Sequence, residues 1–168
     1  GASAPDHMHF QAGNSDFLTL AAALEDTNLE EIASEDSSTL SLAAGLPLKV
    51  FVIDAATAAA GQRLFDRLYS ALPVPENEKE PMMNLLCYTT AAGVRLVVIP
   101  RKKHRPSFYG TEGEGCMLLS PASVDMGGVF ITPRREDFDK MDAEIIKKIF
   151  NELCLSEGEI RETAENII

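Results

Sequence analysis

His7, His9 and Gln11 alternate with Met8, Phe10 and Ala12 in the stretch from Asp6 to Ala12. If that stretch is a strand, two imidazoles and an amide share one face, and Met8 and Phe10 point to the other, towards a core. The chain holds three histidines, and two of them stand here. Such a row is costly to bury without partners, so it belongs beside a ligand or in solvent. A neutral imidazole at His9 can attack phosphorus near neutral pH. The amide of Gln11 can donate to a phosphoryl oxygen as charge builds on it, and His7 can position the nucleophile or stabilise its charged adduct. The pattern alone fits two other readings. One is a pair of half-exposed strand histidines with no ligand. The other is a zinc site, which needs a third and fourth ligand that nothing nearby supplies.

A second group of chemically active side chains lies at Arg101-Lys102-Lys103-His104-Arg105. Four of the 15 basic residues fall in these five positions, in a chain of net charge −11. The cluster is a candidate holder of substrate phosphates. The plainer reading is a solvated loop balancing an acidic surface. Aromatic residues do not interleave with it, and the acidic chain repels phosphate backbones at long range, so a general nucleic-acid binder is not expected. Gly110, Gly113 and Gly115 lack the Gly-Lys-Ser/Thr ending of a phosphate-binding loop and read as loop flexibility. Asp125 reads as a structural cap rather than a substrate contact. Cys87, Cys116 and Cys154 are odd in number and form no C-x-x-C pair, which argues against a disulfide framework or a self-contained zinc site. No cofactor is implied, and a reducing cytoplasm is the simplest setting.

The elements that must position these groups follow from patterning. Phe17 to Leu24 reads as a short helix. Glu25 to Ser38, rich in acids and serine, reads as loop or weak helix. Ser38 to Ala43 alternates as a strand, and Leu48 to Ile53 is a buried one. Asp54 is placed to cap a helix carrying Leu64, Phe65, Leu68 and Leu72, ended by Pro73 and Pro75. Met82 to Tyr88 and Val94 to Ile99 form a hairpin. Pro100 to Gly115 is a long loop. Gly127-Gly128 turns into a strand at Val129 to Ile131. Asp142 opens a helix with the stripe Ile145, Ile146, Ile149, Phe150 and Leu153. Ser156 with Glu159 makes a capping box for a last helix. The expected class is α+β: an antiparallel sheet of about five strands with packed helices. At 168 residues, 45% of them hydrophobic, the chain suits one domain. It has neither a membrane-length apolar run nor a secretory leader.

Three segments together resemble a known family. His7-x-His9-x-Gln11 resembles the H-x-H-x-Q strand in one branch of the histidine-triad superfamily. That branch contains galactose-1-phosphate uridylyltransferase, diadenosine tetraphosphate phosphorylase and plant-type GDP-galactose phosphorylase. Asn84-Leu85-Leu86 followed by Leu96 to Arg101 resembles the C-terminal part of those phosphorylases. Ser120 to Gly128 resembles the GDP-galactose phosphorylase branch. The nearest likeness is to an uncharacterised bacterial domain family related to it. The resemblance implies a histidine-triad-like fold and a covalent double displacement. His9 would attack the α-phosphorus of a nucleoside diphosphate sugar or dinucleoside polyphosphate, and phosphate or a sugar phosphate would then accept the nucleotide. Gln11 stands where the hydrolase branch has a third histidine, which favours transfer or phosphorolysis over hydrolysis.

The family builds its nucleotide pocket partly from strands upstream of this motif. The chain therefore reads as a single domain, 1–168, forming the C-terminal portion of a two-lobed enzyme. Residues 1–13 are its catalytic strand, 14–46 a connector and 47–168 the α+β body. On that reading the isolated chain is catalytically poor. A sheet edge beside residues 6–12 would also invite self-association, or coverage by residues 13–46. The rival reading is a degenerate nucleotide-binding or assembly domain that keeps the fold without catalysis.

Overall fold

The computed structural model describes residues 10–14, 16–113 and 115–167. Five strands form one antiparallel sheet in the order β1-β2-β3-β5-β4. They are β1 Glu30–Glu35, β2 Ser38–Ala43, β3 Val50–Ala55, β4 Met82–Thr90 and β5 Gly93–Arg101. The expected class holds, but one strand differs. Glu30–Glu35 lies in the segment expected to be loop or weak helix, and residues 10–14 form no regular element. The physical reason lies in β1's position. As an edge strand it lets Glu30, Glu31 and Glu35 reach solvent, so their poor strand propensity costs little. Asp36 and Ser37 both take positive φ (46° and 61°) and close the two-residue turn into β2.

Alternation along the central strands feeds two cores. Val50, Val52, Val97 and Ile99 face Leu20 and Leu24 of α1 (Thr19–Glu25), Met126 of α3 (Ser123–Met126), and Ile149 and Leu153 of α5 (Ala143–Leu153). Phe51, Ile53 and Val98 face Leu64 and Leu68 of α2 (Ala58–Ala71) and Ile160 of α6 (Glu157–Glu165). The sheet is thus packed by helices on both faces.

Local signals set most boundaries. The side chain of Thr57, not Asp54, caps α2 by accepting from Ala60 N at 3.2 Å. Asp54 instead faces Arg95 across the β3–β5 pair, and its carboxylate accepts from Arg95 Nε at 2.7 Å and Nη2 at 3.0 Å. The hairpin closes over Ala91-Ala92 into Gly93, at φ +146°. Asp142 caps α5, and Ser156 with Glu159 forms the expected box at α6. Val129 to Ile131 is not a strand. Gly127 and Gly128 instead end the one-turn helix α3, and the chain passes irregularly into α4 (Arg135–Lys140). Among the described residues, no helix is long and apolar enough to cross a membrane.

Candidate functional site

His7 and His9 lie outside the described residues, as does Met8. Gln11 is exposed in the irregular stretch 10–14. Phe10 does not enter a core as alternation suggested; it is 91% exposed. From Leu18 onwards the chain docks. Leu20 N donates to Gly127 O at 3.0 Å, and the Leu18 methyls lie 3.0 Å and 3.1 Å from where a Cβ on Gly127 would stand. The start of α1 is thereby held against the end of α3.

The five-residue basic segment divides into different environments. Arg101 is the last residue of β5 and follows Val97 and Ile99 on the inward face. It is 1% exposed. All five of its N–H groups meet neutral acceptors. Nη1 donates to Asn84 Oδ1 at 2.8 Å and Pro121 O at 2.7 Å. Nη2 donates to His104 O at 2.7 Å and Lys103 O at 3.1 Å, and Nε donates to Lys103 O at 3.2 Å. Burial pushes the guanidinium pKa down, partly offset by the charges of Cys154 and Asp125. A guanidinium with five satisfied donors remains a sound buried cation, and it ties β4, the turn after β5 and the 120–125 segment together.

Lys102 lies 3.5 Å from Glu159, and Lys103 lies 3.1 Å from Glu152. Burial pushes the Glu152 carboxyl up, but Ser107 N–H, Lys103 and the Ser107 hydroxyl outweigh it and hold the carboxyl below its ordinary range. Hydrogen bonds from Ser156 chiefly lower Glu159. His104 is half-buried, and its carbonyl serves Arg101. Arg105 is exposed. Its guanidinium carbon lies 4.2 Å from the Tyr109 ring centroid, and its Nε donates to Ser120 Oγ at 3.1 Å.

Asp125 has a structural task. Its Oδ2 accepts from Ala122 N and its Oδ1 from Ile131 N, each at 2.9 Å. These bonds, with Arg101 to Pro121 and Asn84 Nδ2 to Ser123 Oγ at 3.1 Å, fix the 120–131 segment. Sequence reasoning missed Asn84, 3% exposed, as a partner for Arg101. The available signal was register: Arg101 pairs with Met82, and Asn84 pairs with Ile99, so the two lie diagonally across the hairpin. Among the described residues, no group of three or more His, Cys, Asp or Glu side chains could hold a metal ion.

Comparison with known proteins gives one family match, to the GDPGP1-like, C-terminal domain, over residues 23–168. His7, His9 and Gln11 precede the matched region. No curated protein matches the chain, and no solved structure does. The match covers the whole sheet and every helix except the start of α1. The chain therefore belongs to the GDPGP1-like C-terminal domain family.

Proposed function

We propose that this chain is the C-terminal part of a nucleotide-sugar phosphorylase or nucleotidyltransferase of histidine-triad-like ancestry. The observation that carries the reading is order along the chain. An H-x-H-x-Q motif ending at Gln11 stands upstream of residues 23–168, which match the GDPGP1-like C-terminal domain. The substrate is a nucleoside diphosphate sugar or a dinucleoside polyphosphate. An imidazole nitrogen of His9 attacks the α-phosphorus. A P–N bond forms, the bond from that phosphorus to the bridging oxygen breaks, and the sugar phosphate or nucleotide leaves with that oxygen. An oxygen of inorganic phosphate or of a sugar phosphate then attacks the same phosphorus, breaks the P–N bond and restores His9. Gln11 donates to the phosphoryl oxygen, and His7 holds the nucleophile in position. From the basic segment, the exposed cations rather than the enclosed Arg101 serve the substrate phosphates.

One observation favours a second reading, a binding or assembly domain without turnover. Arg101 is saturated by neutral acceptors, and Lys102 and Lys103 each have a glutamate partner. Much of the basic segment thus has a structural account.

The deciding experiment incubates the chain, and a longer version carrying upstream sequence, with GDP- and UDP-sugars and with dinucleoside polyphosphates. Intact-mass and peptide spectrometry then look for an acid-labile nucleotidyl adduct on His9. The expected result is an adduct and phosphate-dependent release of nucleoside diphosphate in the longer version, both lost in His9→Ala. Weak turnover is expected from the shorter chain. Nucleotide binding with no adduct in either version would sink catalysis and leave the second reading.

A further inference from the structure

We propose that Arg105 and Ser120 form a prebuilt subsite for a phosphate group, with Arg101 as the buried positioning residue that builds it. The proposal deepens the phosphorylase reading and rests on it for the identity of the anion. It differs from assigning the whole basic segment to substrate, because the neighbouring cations have distinct partners.

Charge partition is the first argument. Lys102 and Lys103 are each partnered by a carboxylate, and Arg101 is enclosed. Arg105 meets no carboxylate among the described residues, in a chain with 26 acidic side chains to 15 basic ones. Its partners are a hydroxyl and a ring face. Neither neutralises the guanidinium, and both fix its plane.

Donor chemistry is the second argument. Nε of Arg105 is occupied by Ser120 Oγ, which leaves the Nη1 and Nη2 edge to meet an anion through a two-pronged contact. A hydroxyl that accepts from Arg105 keeps its own O–H to give. The site therefore offers donors only. Its complement is a ligand with several acceptor oxygens and negative charge, which describes a phosphate monoester or inorganic phosphate.

Prepositioning is the third argument. Ser120 precedes Pro121, whose carbonyl accepts from Arg101 at 2.7 Å. Arg105 follows His104, whose carbonyl accepts from the same guanidinium, also at 2.7 Å. One buried side chain thus sets both backbone segments that carry the two donors. Lys102 N and Lys103 N donate to Leu153 O at 2.8 Å and 3.3 Å and anchor the turn to the end of α5. A site held in shape before binding loses little ordering entropy when the anion arrives.

The test measures affinity of the chain for inorganic phosphate and for GDP by calorimetry, at low and moderate salt. Arg105→Gln should weaken the phosphate-bearing ligand about tenfold or more and flatten its salt dependence. Ser120→Ala should weaken it several-fold, and Arg105→Lys should recover only part of the loss. Arg63→Gln removes the same charge at the β1–β2 turn, where Arg63 pairs with Glu35 and Asp36, and should leave affinity unchanged. A loss seen with inorganic phosphate alone assigns the acceptor, and a loss seen with GDP assigns the nucleotide; either supports the subsite. Absence of binding to both ligands by the native chain overturns it, as does equal affinity of native and Arg105→Gln protein. Failure to find a His9 adduct bears on the catalytic reading and leaves this binding result as it stands.

Discussion

Arg101 Nη1 donates to Asn84 Oδ1 at 2.8 Å in the interior, joining the end of β5 to the start of β4. The pair is partnered on both sides, since Asn84 Nδ2 also donates to Ser123 Oγ and Arg101 reaches three backbone carbonyls. Arg101→Lys keeps the charge but offers three tetrahedral donors in place of a planar fork of five. Several acceptors and a buried cation are then left short of partners. The expected loss is about 3 kcal/mol, on the scale of breaking a buried charged network. Urea unfolding checks it, and a loss below about 1 kcal/mol would show that the enclosure contributes little.

Asp137 is fully buried, and its carboxylate accepts from Arg134 Nε at 2.8 Å, Arg134 Nη2 at 2.7 Å and Leu118 N at 3.1 Å. The Arg134 hydrogen bonds chiefly hold its pKa below the ordinary aspartate value. A depressed folded pKa means the contribution is fully present above the unfolded value and is lost as pH falls through the folded one. Asp137→Asn should therefore be less stable than the native chain at neutral pH, and the gap should narrow on acidification. Denaturant midpoints of both proteins at a series of acid pH values test this. A gap that stays constant down to acid unfolding would remove Asp137 from the account.

How far these features were legible depends on how local their causes are. The hairpin, α5 with its Asp142 cap and the Ser156–Glu159 box arise from neighbours in sequence, and patterning finds them. β1 was illegible because a glutamate-rich strand makes sense only once it is known to be an edge. Arg101 was misgrouped with the cations that follow it, although Val97, Ile99 and Arg101 alternate inward along one strand. Adjacency in sequence outweighed strand period in that reading. Phe10 shows the opposite failure: alternation assigned it to a core, yet residues 10–14 form no strand and the ring is exposed. The H-x-H-x-Q motif was legible as chemistry, but the placement of His7 and His9 lies outside the described residues.

Gly93 closes the β4–β5 hairpin at φ +146°, and a Cβ built there would strike the Ala55 carbonyl oxygen. Both backbone strain and the clash oppose any side chain. Gly93→Ala should cost about 2 kcal/mol or more, within the range for strained backbone positions combined with overpacking. Thermal unfolding of the variant checks the value. An unchanged midpoint would mean that the hairpin can shift away from β3 without penalty.

The cysteines report on the Arg101 enclosure from the other side. Cys154 is 3% exposed, and burial pushes its thiol up to about 11, against the opposing charges of Arg101 and Lys102. It also forms an antiparallel bridge with Arg101. Cys87 is exposed on β4. Thiolate, not thiol, reacts with iodoacetamide, so both burial and the raised thiol pKa protect Cys154 at neutral pH. In the native chain Cys87 should alkylate first, with Cys154 modified only on unfolding. If Arg101 holds this corner closed, Arg101→Lys should raise the alkylation rate of Cys154 under conditions where the variant is still folded, while the Cys87 rate stays the same. Peptide mass spectrometry over a time course reads both sites in one sample. Rapid native labelling of Cys154 would contradict its burial. Equal Cys154 protection in native and variant chains would place the closure in the apolar packing of Ile149, Leu153 and Leu155 rather than in the guanidinium.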